Sequence, residues 1–266
     1  MGKSFNSMDF FKVLPKTNCK ECKSSTCLAF SVLVFKGEKT PGDCPYLSED
    51  IIKTFGGTIQ SSVNKIPDPQ EALDSLKKEI SNYDLEKAVD RTGGVFSGDK
   101  LTIKVLGKNF SVDANGNMYS DIHINPWIAA PVLNYVVGCK GVPVSGKWVP
   151  FRELEGGKNW YRLFGQRCEK PLKKIADTYT ELFEDMLDIF NGTRLENHYN
   201  SDISILLMPL PKIPILLCYW KPDDGLESEL NLFFDSTAEE NLNIEALYGI
   251  GTGLVNMFEK IALRHG

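Results

Sequence analysis

The chain has 266 residues, 42% of them hydrophobic and 24% charged, with a formal charge of −5. Such proportions suit a folded globular protein of one large domain or a small one plus a medium one, and the absence of any basic block argues against nucleic acid as a partner. No apolar run approaches the ~20 residues of a membrane span and no apolar leader opens the chain, so a cytoplasmic location is expected.

The first segment, Asp9 to Leu14, is short and apolar and is expected to pack against the cysteine-rich loop beyond Pro15. That loop reads N-C-K-E-C-K-S-S-T-C-L-A-F, with G-D-C-P further on, which places Cys19, Cys22, Cys27 and Cys44 in a C-x2-C-x4-C-x16-C pattern. Four thiolates so spaced suit a cubane 4Fe–4S cluster, each iron taking one cysteine sulfur. Three come from one tight loop and the fourth from a distant turn that closes the pocket. Lys20, Lys23 and the loop's N–H groups would offset the negative charge.

Zinc and a disulfide framework are the alternatives. Zinc sites commonly pair two similar C-x2-C knuckles or combine cysteine with histidine, whereas the nearest histidine here is His123. Seven cysteines, an odd number, fit a disulfide framework poorly. Purely structural cysteines are the remaining alternative. Around the loop, Leu28 to Phe35 reads as a helix whose N-terminus favours anionic groups. Pro41-Gly42-Asp43 reads as the turn presenting Cys44. Leu47 to Phe55 reads as a second helix, with Ser48 as N-cap and Gly56-Gly57 as its stop.

The block T-N-C-K-E-C-K-S-S-T-C-L-A-F-S, with C-P beyond the gap, resembles the N-terminal cluster module of the corrinoid iron–sulfur protein large subunit, the gamma type of the acetyl-CoA decarbonylase/synthase system of anaerobes. The resemblance covers roughly the first fifty-five residues. It implies a 4Fe–4S cluster that passes single low-potential electrons to a bound corrinoid (cobalamin). The domain that holds the corrinoid in that subunit is not recognisable here.

Residues 1–57 are therefore expected to form the cluster module and 58–69, with Pro67 and Pro69, a linker. Residues 70–266 are expected to form an α+β domain, an antiparallel sheet packed with helices. Gln70 to Val89 reads as a helix. Leu101 to Leu106 and Asn109 to Asp113 read as strands of a small meander, with Ala114-Asn-Gly-Asn117 as a turn. Asn125 to Val137 reads as a helix kinked at Pro131, and Lys170 to Phe190 as one long helix. Strands are expected over Asp202–Pro209, Lys212–Trp220 and Glu227–Asp235, the first two near an edge or bend because of Pro211 and Pro214. A terminal helix over Ile244–Leu263 is weakened by Gly249, Gly251 and Gly253.

The stretch G-C-K-G-V-P-V-S-G-K-W-V-P-F-R-E-L-E-G-G, the P-L-P-K-I-P-I-L-L-C-Y-W strand pair and the L-F-F-D-S-T-A run resemble a family of uncharacterised domains of anaerobic bacteria and archaea that often accompanies this cluster module on its C-terminal side. That resemblance implies no known activity. The loop from Gly141 to Trp160 is dense in turn residues yet rich in aromatics. Trp148, Phe151, Trp160 and Tyr161 are candidate ligand-binding residues there, weighed against a role in pinning the loop to the core.

Asp121-Ile-His123 resembles the D-x-H start of the corrinoid motif D-x-H-x-x-G, which makes His123 a candidate. Pro126 stands at the glycine position, so a solvated or core-satisfied histidine is the stronger expectation. Cys139 could be a reactive thiol, and Cys218 reads as buried and inert. No nucleophile–histidine–acid set, phosphate loop or dinucleotide-binding glycine pattern is present.

The expectation is an electron-transfer or activating protein rather than a stand-alone catalyst. Its expected partners are a ferredoxin-like electron donor and a corrinoid protein or methyltransferase. The alternative is a corrinoid- or partner-binding module in which the cluster is mainly structural.

Overall fold

The computed structural model describes residues 7–35, 39–62, 69–196 and 198–265. The chain divides into two compact units, Met1–Asp68 and Pro69–Gly266.

Among its described residues the first unit carries three α-helices, α1 Ser7–Val13, α2 Cys27–Phe35 and α3 Glu49–Ser62. Phe10 of α1 joins them, its ring 6.1 Å from Phe30 of α2 and 5.1 Å from Phe55 of α3. Leu14, Val34, Cys27 and Cys44 complete this small buried cluster. Helix α3 does not stop at Gly56-Gly57 as their low helix propensity suggests; it continues to Ser62. Of the linker expected over 58–69, residues 58–62 are thus helical, 63–68 lie outside the described residues, and Pro69 opens the next helix.

The second unit opens with α4 Pro69–Ile80 and α5 Val89–Thr92. The single helix expected from Gln70 to Val89 breaks after Ile80. There Ser81 Oγ and Asn82 Nδ2 both donate to the Lys78 carbonyl, at 2.7 and 3.0 Å, competing with the helical ladder. Beyond α5 lies an antiparallel meander, β1 Val95–Ser97, β2 Lys100–Val105, β3 Lys108–Asp113 and β4 Met118–Ser120, in that order across the sheet. Asp113 builds its last turn by accepting from the Asn115 and Asn117 backbone N–H groups, each at 2.9 Å.

Helix α6 Pro126–Gly138 starts on Asn125, whose side chain accepts from Trp127 N at 3.0 Å. Strand β5 Trp148–Pro150 then leads to α7 Gly157–Phe164, which passes through a π-helical turn, Gly165–Glu169, into α8 Lys170–Thr178. Helix α9 Thr180–Ile189 is separate, because Tyr179 leaves helical geometry (φ −130°, ψ 54°). The long helix expected from Lys170 to Phe190 is thus two.

Strands β6 Thr193–Leu195, β7 Ile203–Leu210, β8 Ile213–Trp220 and β9 Glu229–Asp235 complete a second antiparallel sheet in the order β5-β9-β8-β7-β6. Strand β8 is central and buried on both faces, not near an edge. Its Pro214 is tolerated because the β7–β8 register shifts between Leu207 and Leu210, where a missing N–H leaves no gap in the ladder.

Short α10 Ala238–Asn241 and long α11 Ile244–His265 close the unit. The three glycines of α11 have a packing reason. A Cβ on Gly249 would lie 3.0 Å from Pro131 Cγ, on Gly251 2.7 Å from Phe164 Cε2, and on Gly253 3.1 Å from the Trp127 carbonyl oxygen. They let α6 and α7 seat directly on α11. The architecture is α+β. Among the described residues no helix is long and apolar enough to cross a membrane.

Candidate metal centre

The loop between α1 and α2 is shaped against backbone preference. Lys16, Asn18, Lys20 and Lys23 all have positive φ, between 52° and 65°. Non-glycine residues rarely hold this geometry unless their surroundings impose it, and such residues gather at functional sites. Two bonds fix the loop to α2: Asn18 Oδ1 accepts from Cys27 N at 2.8 Å, and Thr26 Oγ1 accepts from Ala29 N at 3.0 Å. Cys27 therefore occupies the first turn of α2, where the helix dipole favours a thiolate. Lys39 Nζ donates to the Cys22 carbonyl, and Tyr46 OH donates to Glu21 Oε1 at 2.5 Å, tying the loop to the later turn. That turn, the 3₁₀ segment Pro41–Asp43, is held by Thr40 N donating to Asp43 Oδ2 at 2.7 Å, and it delivers Cys44.

Cys27 and Cys44 are buried, Cys22 is half-buried and Cys19 is exposed. Burial pushes the Cys44 thiol up, the Tyr46 backbone N–H opposes this, and the Cys22, Cys19 and Cys27 thiols each add to the rise. The Cys44 thiol thus senses those of the other three cysteines. Yet no three described His, Cys, Asp or Glu side chains converge as a set for one metal ion. A single tetrahedral zinc with Zn–S near 2.3 Å needs its sulfurs only about 3.8 Å apart. Four cysteine thiols are also the donor set that a cubane takes, one to each iron.

One more atom fits an enclosed group. Ser24 Oγ is buried with no hydrogen-bond partner, the one such side-chain polar atom among the described residues. Nothing in the letters of the loop distinguishes Ser24 from exposed Ser25. Its burial emerges only from the left-handed backbone around it.

The remaining sequence candidates do not gather. Phe151 is buried, stacked on Phe164 at 4.1 Å and tilted on Phe234 at 5.7 Å, so it pins the loop to the core. Trp148 lies half-buried in β5 opposite Asp235. Trp160 packs on Tyr248 at 5.4 Å, and Tyr161 is exposed. His123 lines an open pocket of about 630 Å³ with Asn125, Phe190, Asn256, Met257 and Lys260 among its walls.

Cys139 is buried and its thiol donates to the Arg91 carbonyl at 3.1 Å, which leaves it no access for reagents. Burial raises both Cys168 and Cys218.

A cysteine-loop module joined to an α+β domain is the class of protein that this geometry defines. The family model described as "Domain of unknown function (DUF3786)" matches residues 84–257, and the chain belongs to that family. The model described as "Putative Fe-S cluster" matches residues 14–46, which include all four loop and turn cysteines.

Two curated relatives are acetyl-CoA decarbonylase/synthase complex subunits gamma. That of Methanothermobacter thermautotrophicus is 30% identical over 82 residues, 30% of this chain and 18% of the relative. That of Methanocaldococcus jannaschii is 44% identical over 48 residues, 18% of this chain and 10% of the relative. The corrinoid/iron-sulfur protein large subunit of Moorella thermoacetica is 43% identical over 59 residues, 22% of this chain and 13% of the relative. The chain thus spans less than a fifth of the length of these relatives. No solved structure matches it.

Proposed function

We propose that Cys19, Cys22, Cys27 and Cys44 ligate one 4Fe–4S cluster and that the chain passes single low-potential electrons in the corrinoid or one-carbon metabolism of an anaerobe. The observation that carries this is a set of four cysteines borne by a loop of left-handed residues and a separate turn, within a stretch that matches an iron–sulfur family model. When bound, the cluster supplies a one-electron couple. The chain's own residues hold it, with Cys27 and Cys44 on the buried side and Cys19 on the exposed side.

Exposed Lys16, Lys20 and Lys23 flank Cys19 and suit the approach of an acidic, ferredoxin-like donor. One electron would enter from that donor and one would leave to a cofactor, a corrinoid protein or a methyltransferase. The names of the relatives support this setting. The test is an anaerobic redox titration of the reconstituted full chain. A reversible one-electron signal supports the proposal, and a cluster that cannot be cycled sinks it.

The pocket at His123 favours a second reading, in which the cluster mainly staples the first unit and the second unit takes a ligand. An apolar floor with a histidine, two amides and a lysine at its walls suits an organic anion. It would admit part of a corrinoid rather than all of one. Added cobalamin should then change its visible bands, and should fail to do so with His123→Ala.

A further inference from the structure

We propose that the Ser24 hydroxyl donates a hydrogen bond to a sulfur of the bound cluster and thereby raises its reduction potential; this rests on the cluster reading above. Ser24 lies between Cys22 and Cys27, directly after left-handed Lys23, and is 6% exposed. Its oxygen has no partner among the described residues. The neighbouring hydroxyl of Thr26 is already committed to capping α2, and Ser25 faces solvent.

A buried hydroxyl left without a partner is costly, so such groups in native proteins mark a missing acceptor. Ser24 sits in the loop that carries Cys19, Cys22 and Cys27, and the acceptor assigned to it is the cluster those thiols would hold. Thiolate and sulfide sulfurs carry negative charge, and a donor to them strengthens as that charge grows. A hydrogen bond to sulfur therefore favours the reduced state over the oxidised one, which is how such bonds tune cluster potentials. Ser24 is a positioning and tuning residue here, not a ligand.

The experiment compares the full chain with Ser24→Ala, each reconstituted anaerobically, by iron and sulfide analysis and by mediated redox titration monitored by electron paramagnetic resonance. Both proteins should hold the same iron. At a fixed solution potential the reduced-to-oxidised ratio of Ser24→Ala should fall at least tenfold, equivalent to about 59 mV for a one-electron couple. Ser24→Thr, which keeps the hydroxyl, should restore the potential. Should Ser24→Ala not load, the shape-matched pair Ser24→Thr and Ser24→Val carries the same comparison. An unchanged potential in a fully loaded, hydroxyl-free variant overturns the inference while leaving the cluster reading intact. A wild-type chain that holds no iron overturns that reading instead.

Discussion

Cys44 follows the turn Pro41–Asp43, seventeen residues beyond Cys27, and burial pushes its thiol up. Alanine at any one of Cys19, Cys22, Cys27 or Cys44 should remove most of the iron from reconstituted protein. Alanine at Cys139, Cys168 or Cys218 should not. Iron analysis of the seven variants checks this, and iron retained by Cys44→Ala would break the ligand assignment.

Asp235 is a second test at this scale. It is fully buried, accepts from the N–H and hydroxyl of both Ser145 and Thr237, and accepts from Gly146 N at 2.6 Å. Burial works to raise its carboxyl, but these donors outweigh it and hold the group below the usual carboxylate range. A depressed folded value means the stabilisation is fully present above the unfolded value near ~3.9 and is lost as pH falls through the folded one. Asp235→Asn should cost about 2–3 kcal/mol at neutral pH, and the loss should shrink in acid. Urea unfolding at pH 7 and pH 3 measures both. An equal loss at the two pH values would contradict the assignment.

At the scale of elements, α11 shows two preferences in opposition. Alanine in place of Gly251 would improve helix propensity by about 1 kcal/mol. Its Cβ would also lie 2.7 Å from Phe164 Cε2 and 2.9 Å from Cys168 Sγ, an overpacking that costs about 1–3 kcal/mol. Packing should win, so Gly251→Ala should lower the unfolding midpoint; a raised midpoint would show that α7 can move aside. The same conflict explains what the letters do and do not reveal. Strands β7 to β9 are legible because apolar runs are bounded by proline and glycine turns. The central place of β8 is not, since sheet order is set by pairing rather than by local pattern. Strands β1 and β6, three residues each, carry no alternation long enough to see. The break at Tyr179 has no glycine or proline to announce it. It coincides with Asp177 being drawn to Tyr219 and Ser228, at 2.8 and 2.5 Å, contacts more than forty residues away in sequence. The cysteine spacing is fully legible. The burial of Ser24 inside it is not, because the loop around it holds Lys16, Lys20 and Lys23 in left-handed geometry that lysine rarely adopts.

At the scale of the molecule the two units differ in what sustains them. The second has an extended core of two sheets and their helices. Among the described residues the first buries a handful of apolar side chains around Phe10. So small a core rarely suffices without a metal or other staple. Removing iron with a chelator should therefore unfold the first unit alone, seen as a partial loss of helical signal with the main thermal transition unmoved. A single transition shifted as a whole would show that the cluster sustains both units.

The central claim is the cluster itself, and an anaerobic visible spectrum with iron, sulfide and zinc analysis, before and after dithionite, tests it most directly. A 4Fe–4S protein should show a broad band near ~400 nm that bleaches on reduction, with about four irons and four sulfides per chain. A colourless protein holding one zinc would contradict it.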